Sequence, residues 1–307
     1  MSTDQLADQA TISLPTSSRL ALEPMARPRK WETVKRFKRN KFAVAGLIVI
    51  IFLYSVALLA PWLMRYPYDQ IHSGVRNTPP SADFWLGTDR NGRDVFSRLV
   101  MGARISLAAG FASVAIIMTI GVILGAIAGF FGGVIDEVIM RFTDILLSIP
   151  LILLLITAAA LFQPGLRTTI IVIGFSAWPG AARLVRGQFM MLKGQEFVTA
   201  ARSVGAAPAR LMFRHMTPNA LALIIVEATL WLSFAILLEA SLSYLGLGVK
   251  IPIPSWGNML RDGQSEMLAG AWWLTFFPGL AIFMTVLAFN LVGDGLRDAL
   301  DPRHGKR

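Results

Sequence analysis

Glu227 lies nine residues beyond Pro218, inside a long apolar run of the chain. At about 1.5 Å of rise per residue, that sets its carboxyl roughly 13 Å into a helix. An ionisable side chain at such depth in a bilayer costs on the order of 3 kcal/mol, so it faces a cavity or a partner. Two roles fit: a translocation-pathway carboxylate that meets an amino group or stabilises a gate, or a protonated or paired glutamate between helices. Glu239 stands twelve residues further on, nearer the end of the run and more easily hydrated. At about 100° per residue the two do not share a helix face, so they do not form an acid–base pair. No GxxxxGK[ST] loop, HExxH or GxSxG occurs, which excludes nucleotide hydrolysis by this chain, a zinc hydrolase and a serine nucleophile of those types. With no cysteine and three histidines, no metal site and no catalytic residue is expected.

A second constellation suits docking rather than catalysis. The stretch from Glu196 to Asn219, EFVTAARSVGAAPARLMFRHMTPN, is polar and arginine-bearing between apolar runs. Phe197, Ala200, Ala201 and Val204 recur at helical spacing and give a short helix a small-residue apolar face. Gly205 is placed to end that helix and Pro208 to begin another, which predicts helix, turn, helix. A helix lying on lipid favours bulkier residues than two adjacent alanines, so the expected occupant of this face is a protein groove.

These residues need elements to carry them. With 54% hydrophobic and 16% charged residues over 307 positions, and a mean hydropathy of +0.57, the chain reads as an integral membrane protein. Apolar stretches of spanning length fall near 42–64, 105–131, 140–162, 168–186, 218–245 and 272–293. The net charge of +10 marks topology rather than nucleic-acid binding. Of the 29 Lys and Arg, 20 fall in the segments that lie inside if both termini are cytoplasmic. The reading divides the chain into a disordered tail (1–30), a basic segment with the first span (31–64), an outer loop ending in an interfacial helix (65–104), a core (105–296) and a cytoplasmic end (297–307). The 42–64 run is too long for a signal peptide's apolar core and is expected to be retained.

Within the outer loop, Val95, Phe96, Leu99 and Ala103 share one face, and Arg93, Asp94 and Arg98 are expected on the polar one. Gly121, Gly125, Gly129 and Gly133 recur every four residues and form a close-packing seam, either within this subunit or against a second one. Pro150 and the Trp178-Pro179-Gly180 cluster are expected to interrupt the third and fourth spans. Asp144 is expected to pair with Arg141, and Asp294 to begin a charged helix exit.

Several of these strings carry a resemblance. Ala200-Ala201, three residues, Gly205 and then Pro218 resemble the EAA loop of bacterial ATP-binding-cassette (ABC) importer permeases. Thr199 stands where the general pattern has glutamate, with the acid displaced to Glu196, as is common in the peptide-transporter branch. GTD followed by GRD, SR and GAR before the second span, LLEASLSYLGLG at 237–248, PSWGNML at 254–260 and GDGLRDALDPR from 293 are similar to the dipeptide and oligopeptide permeases, second subunit type. The resemblance covers the chain from about residue 30 onward.

It implies an all-α polytopic fold of the type I importer permease kind, with six transmembrane helices and a cytoplasmic coupling helix. It implies a bacterial inner-membrane location and partnership with a related permease, two ATPase subunits that bind ATP and Mg, and a periplasmic or lipid-anchored substrate-binding protein. Peptides are the implied substrate, with nickel complexes or glutathione as alternatives; a self-sufficient channel or secondary transporter is the rival from another class. In this picture Glu196 and Arg202 supply polar contacts to the ATPase, Ala200 and Ala201 a close apolar surface, Gly205 the turn, Arg210 and Arg214 a basic face, and Pro218 the end of the loop.

Overall fold

A computed structural model describes residues 30–300; the tail expected over 1–30 lies, all but its last residue, outside the described residues, as do the final residues 301–307. Among the described residues the architecture is all-helical, with one isolated bridge between Thr88 and Asp94. A short basic helix, α1 (Lys30–Arg39), leads into α2 (Lys41–Leu58), which Asn40 caps by accepting from the Ala43 N–H at 3.1 Å. One further turn, α3 (Ala60–Leu63), precedes a long irregular loop. Then follow α4 (Val95–Phe131), α5 (Gly133–Ser148), α6 (Leu151–Ala160), α7 (Leu166–Lys193), α8 (Glu196–Ser203) and α9 (Pro208–Arg210). A π-helical turn at Leu211–Met216 joins α9 to α10 (Thr217–Tyr244), and α11 (Trp256–Glu266) and α12 (Trp273–Leu300) complete the described residues.

Among the described residues, five helices are long and apolar enough to cross a membrane, and α5 with α6 makes a sixth if that pair is one span bent by 85°. Ile149-Pro150 supplies the bend: proline has no N–H and disfavours helix in the residue before it. The expected break at Pro179 does not occur. Pro179 is buried and α7 runs through it, the neighbouring helices supplying the packing that holds the helix together. The surface helix expected before the second span is likewise no separate element. Val95–Arg104 form the first turns of α4, which at 37 residues is about 55 Å long and exceeds the roughly 30 Å apolar core of a bilayer.

The tightest pairing is α4 on α7, and the glycine seam makes it. A methyl at Gly121 would lie 2.7 Å from the Ala181 Cβ, at Gly125 2.4 Å from the Ala182 carbonyl, and at Gly129 2.6 Å from the Arg186 carbonyl. The seam is thus internal to this subunit. Gly133 drops out of it because the chain turns at Gly132, and nothing lies within contact of its missing side chain.

Around that pair, three apolar clusters stack along the bundle. One joins α4, α6, α7 and α10; one joins α4, α7, α8, the π turn and the start of α10; one joins α2, α4, α10, α11 and α12. Many large apolar side chains on α2, α4, α5 and α10 remain exposed, among them Phe52, Phe111, Phe142 and Phe234. Lipid or another membrane-embedded chain is the environment that accepts such a surface.

Candidate functional site

The loop between α7 and α10 adopts the helix, turn and helix expected of it. α8 ends in a Schellman arrangement: the Ala206 N–H reaches the Ala201 carbonyl at 3.1 Å and the Gly205 N–H reaches the Arg202 carbonyl at 2.9 Å. Gly205, at φ +80°, occupies the left-handed position this motif requires. Pro208 then opens α9, where its missing N–H costs nothing.

What anchors α8 is a residue the sequence reading did not single out. Val198 is fully buried in the cluster formed by Phe130, Phe189, Leu211, Met212 and Met216. Its position one residue after Phe197 rotates the buried face, so the expected apolar face divides. Ala201 packs inward, whereas Phe197, Ala200 and Val204 face outward, Val204 at 85% exposure. Glu196, Arg202, Arg210 and Arg214 are also exposed, as is Pro218. The eight loop residues therefore share one end of the bundle and present small apolar, acidic and basic groups together. The π turn behind them has no sequence signal simple enough to have been foreseen.

The two glutamates of α10 differ from their expected order of burial. Glu227 is half-buried, and its Oε1 accepts from the Trp231 indole N–H at 3.0 Å, one turn along the same helix. Glu239, expected to be the more hydrated, is fully buried. Its Oε1 accepts from the Ser243 hydroxyl at 2.7 Å, the hydroxyls of Ser106 and Ser255 also approach it, and Oε2 has no hydrogen-bond partner. The reason is α11, which folds back over the end of α10. A methyl at Gly257 would lie 2.4 Å from the Ala240 carbonyl, so the two helices touch backbone to backbone. Sequence distance along α10 carries no trace of that cover.

Arg93, Asp94 and Arg98 are not a solvated face either; all three are at or below 5% exposure. Asp94 caps α4, accepting from the Ser97 N–H at 2.9 Å. Asp89 accepts from the Arg93 Nε at 2.8 Å and lies 3.6 Å from Arg98, while Asp262 of α11 lies 4.0 Å from Arg93 and 3.5 Å from Arg90. Paired charges of this kind tolerate burial that single ones do not. The network ties the loop before α4 to α11, and Trp256 reinforces it by donating from its indole to the Leu99 carbonyl at 3.1 Å.

At the other end, α5 is fastened to α7 by Arg186 in a two-pronged contact with Asp136, and by Arg183, which meets Asp144 at 2.5 Å. Asp144 is thus not the partner of Arg141, which pairs loosely with Glu137 at 3.7 Å.

Comparison with known proteins agrees with this architecture. Residues 121–306 match the family "Binding-protein-dependent transport system inner membrane component", and residues 30–80 match the "N-terminal TM domain of oligopeptide transport permease C". The chain is 46% identical over 272 residues to the oligopeptide transport system permease protein of Bacillus subtilis (strain 168), covering 89% of each. It is 44% identical over 269 residues to the dipeptide transport system permease protein of the same organism, covering 88% of this chain and 84% of the relative. The glutathione transport system permease protein of Pectobacterium atrosepticum is 43% identical over 275 residues, covering 88% of this chain and 89% of the relative.

Proposed function

The chain belongs to the binding-protein-dependent transport system inner membrane component family, in its dipeptide and oligopeptide permease branch, and from that premise we propose that it carries di- or oligopeptides inward through the bacterial inner membrane. ATP and Mg are handled by two partner ATPases; a related permease completes the pathway and an external binding protein delivers the solute.

The observation that carries the mechanism is α8. Val198 fixes it to the bundle while Phe197, Ala200 and Val204 remain uncovered beside Glu196, Arg202 and the arginines 210 and 214. Such a face matches a groove on an ATPase: alanine permits close approach, and the charged rim sets orientation. Displacement of α8 on ATP-driven closure is passed to α4, α7 and α10, because Val198 shares one apolar cluster with all three. The exposed loop and both ends of the chain lie on the cytoplasmic side in this reading, as the Lys and Arg distribution supports.

Glutathione, itself a tripeptide, is a second substrate reading, favoured by the 43% identical glutathione permease. The test is purification of the tagged chain from native membranes in mild detergent, followed by labelled-peptide uptake in reconstituted vesicles. The expected result is recovery of two ATPases and a related permease, with Ala200→Trp and Gly205→Val abolishing ATP-coupled uptake but not membrane insertion. Wild-type uptake by both variants would remove α8 from the mechanism, and recovery of a homo-oligomer alone would favour a channel or secondary transporter.

A further inference from the structure

At the end of the bundle opposite α8, a half-open cavity of about 720 Å³ lies among the last turn of α10, the loop that follows it, α11 and the turn between α6 and α7. This is the size of a site for a small organic ligand. Its wall carries Arg90, Lys250 and Arg261 against a single carboxylate, Asp262. Asp262 is already engaged, 3.5 Å from Arg90 and 4.0 Å from Arg93. Glu239 is sealed behind Ser243, and Glu266 of α11 accepts from the Asn77 amide at 2.7 Å. Lys250 and Arg261 form no ion pair among the described residues, so two cations share one concavity without a counter-charge.

The site is also held in shape. Gly246, at φ +84°, lets the Arg261 guanidinium lie directly on bare backbone: a methyl there would fall 2.1 Å from its Nη1. The Asn258 amide donates to the Ile253 carbonyl at 2.9 Å and the Val249 carbonyl at 3.5 Å, pinning the segment that bears Lys250 from both sides. A capping box of Ser255 and Asn258 fixes the start of α11, and the Tyr244 hydroxyl donates to Gln264 across the cavity wall. The cations are therefore presented by braced elements, which lowers the ordering cost of binding.

We propose that this cavity binds the carboxylate of a small peptide-like solute, with Arg261 and Lys250 as its ligands. The assignment rests on the import reading above, in which this end faces the side from which solute arrives and every linear peptide brings a terminal carboxylate. Arg261 offers paired N–H donors to it and Lys250 a mobile point charge.

The experiment is binding of tri-alanine and of tri-alanine amide to the purified complex without its binding protein, followed by calorimetry. The acid is expected to bind about tenfold more tightly than the amide, the worth of one charge-assisted hydrogen bond. Arg261→Gln and Lys250→Gln should each erode that preference, and Arg261→Lys should keep part of it. Lys250 is exposed on a loop, so Lys250→Gln tests the charge even if changes at Arg261 disturb the fold. Equal affinity for acid and amide, or no binding of either by the wild type, overturns the proposal. So does normal tri-alanine binding by both Gln variants with loss of affinity only for the substrate-binding protein, which would make the cavity a protein contact. A wild-type complex that prefers the acid here yet imports no peptide would instead reject the import reading and leave the site standing.

Discussion

Two glutamates on one helix call for opposite treatment. Among the described residues Glu227 is half-buried and held only by Trp231 from its own helix, so its carboxylate is available to a passing cation or a neighbouring chain. Glu227→Gln keeps the shape and an acceptor for the indole. It is expected to reduce peptide uptake by roughly tenfold, as for one lost charge-assisted contact, with the complex still assembled. Glu239 is part of the fold. Glu239→Leu leaves the buried Ser243 hydroxyl without its acceptor and is expected to cost about 1–3 kcal/mol, while Glu239→Gln retains the bond and stays near wild type. Uptake per assembled complex and the thermal unfolding midpoint in detergent separate the two. Normal uptake by Glu227→Gln would make that residue structural, and an unchanged midpoint for Glu239→Leu would remove the role given to Ser243. The depth of Glu227 in its helix was legible from sequence, but its greater exposure relative to Glu239 was not, since α11 provides the cover.

At the scale of elements, the four-residue glycine spacing announced a close helix pair without saying which one. The structure assigns three of the glycines to α4 on α7 and excludes the fourth. Gly125→Ala puts a methyl 2.4 Å from a carbonyl of the opposing helix, and overpacking of this kind costs about 1–3 kcal/mol. Gly187, on a face of α7 with nothing in contact, is the control: Gly187→Ala is expected to be neutral or to stabilise by up to about 1 kcal/mol through helix propensity. Unfolding midpoints of the two variants measure the difference, and equal midpoints would contradict the seam. The helix, turn and helix at 196–210 was readable because its determinants are local: a glycine at φ +80° and a proline at a helix start. The inward face set by Val198 was not, because that depends on where the cluster of α4, α7 and the π turn lies.

On the scale of the whole molecule, the bundle has two differently built ends about one long helix apart. One carries the exposed arginines and the apolar face of α8; the other carries the buried ion-pair network and the cation-lined cavity. The chain has no cysteine, so each introduced one is a unique reporter. Val204→Cys and Leu268→Cys, both highly exposed, are expected to react with a membrane-impermeant maleimide from opposite sides. In intact spheroplasts Leu268→Cys should be labelled, and Val204→Cys only after lysis and removal of the ATPases. Labelling of both before lysis would overturn the sidedness, and with it the cytoplasmic placement of α8.

Composition and apolar run length by themselves determined that the chain is a helical membrane protein, because a backbone in lipid must satisfy its own hydrogen bonds and a span needs about 20 apolar residues. Short-range signals determined the turns and caps for the same reason: their partners lie within a few residues. Tertiary structure alone decided which charges are buried. Arg93 and Arg98 read as a polar face along the chain, yet with Asp89 and Asp262 they become a buried network once α11 meets the start of α4. Burial is set by neighbours distant in sequence, and a helical period records which face a residue occupies but not what comes to cover it.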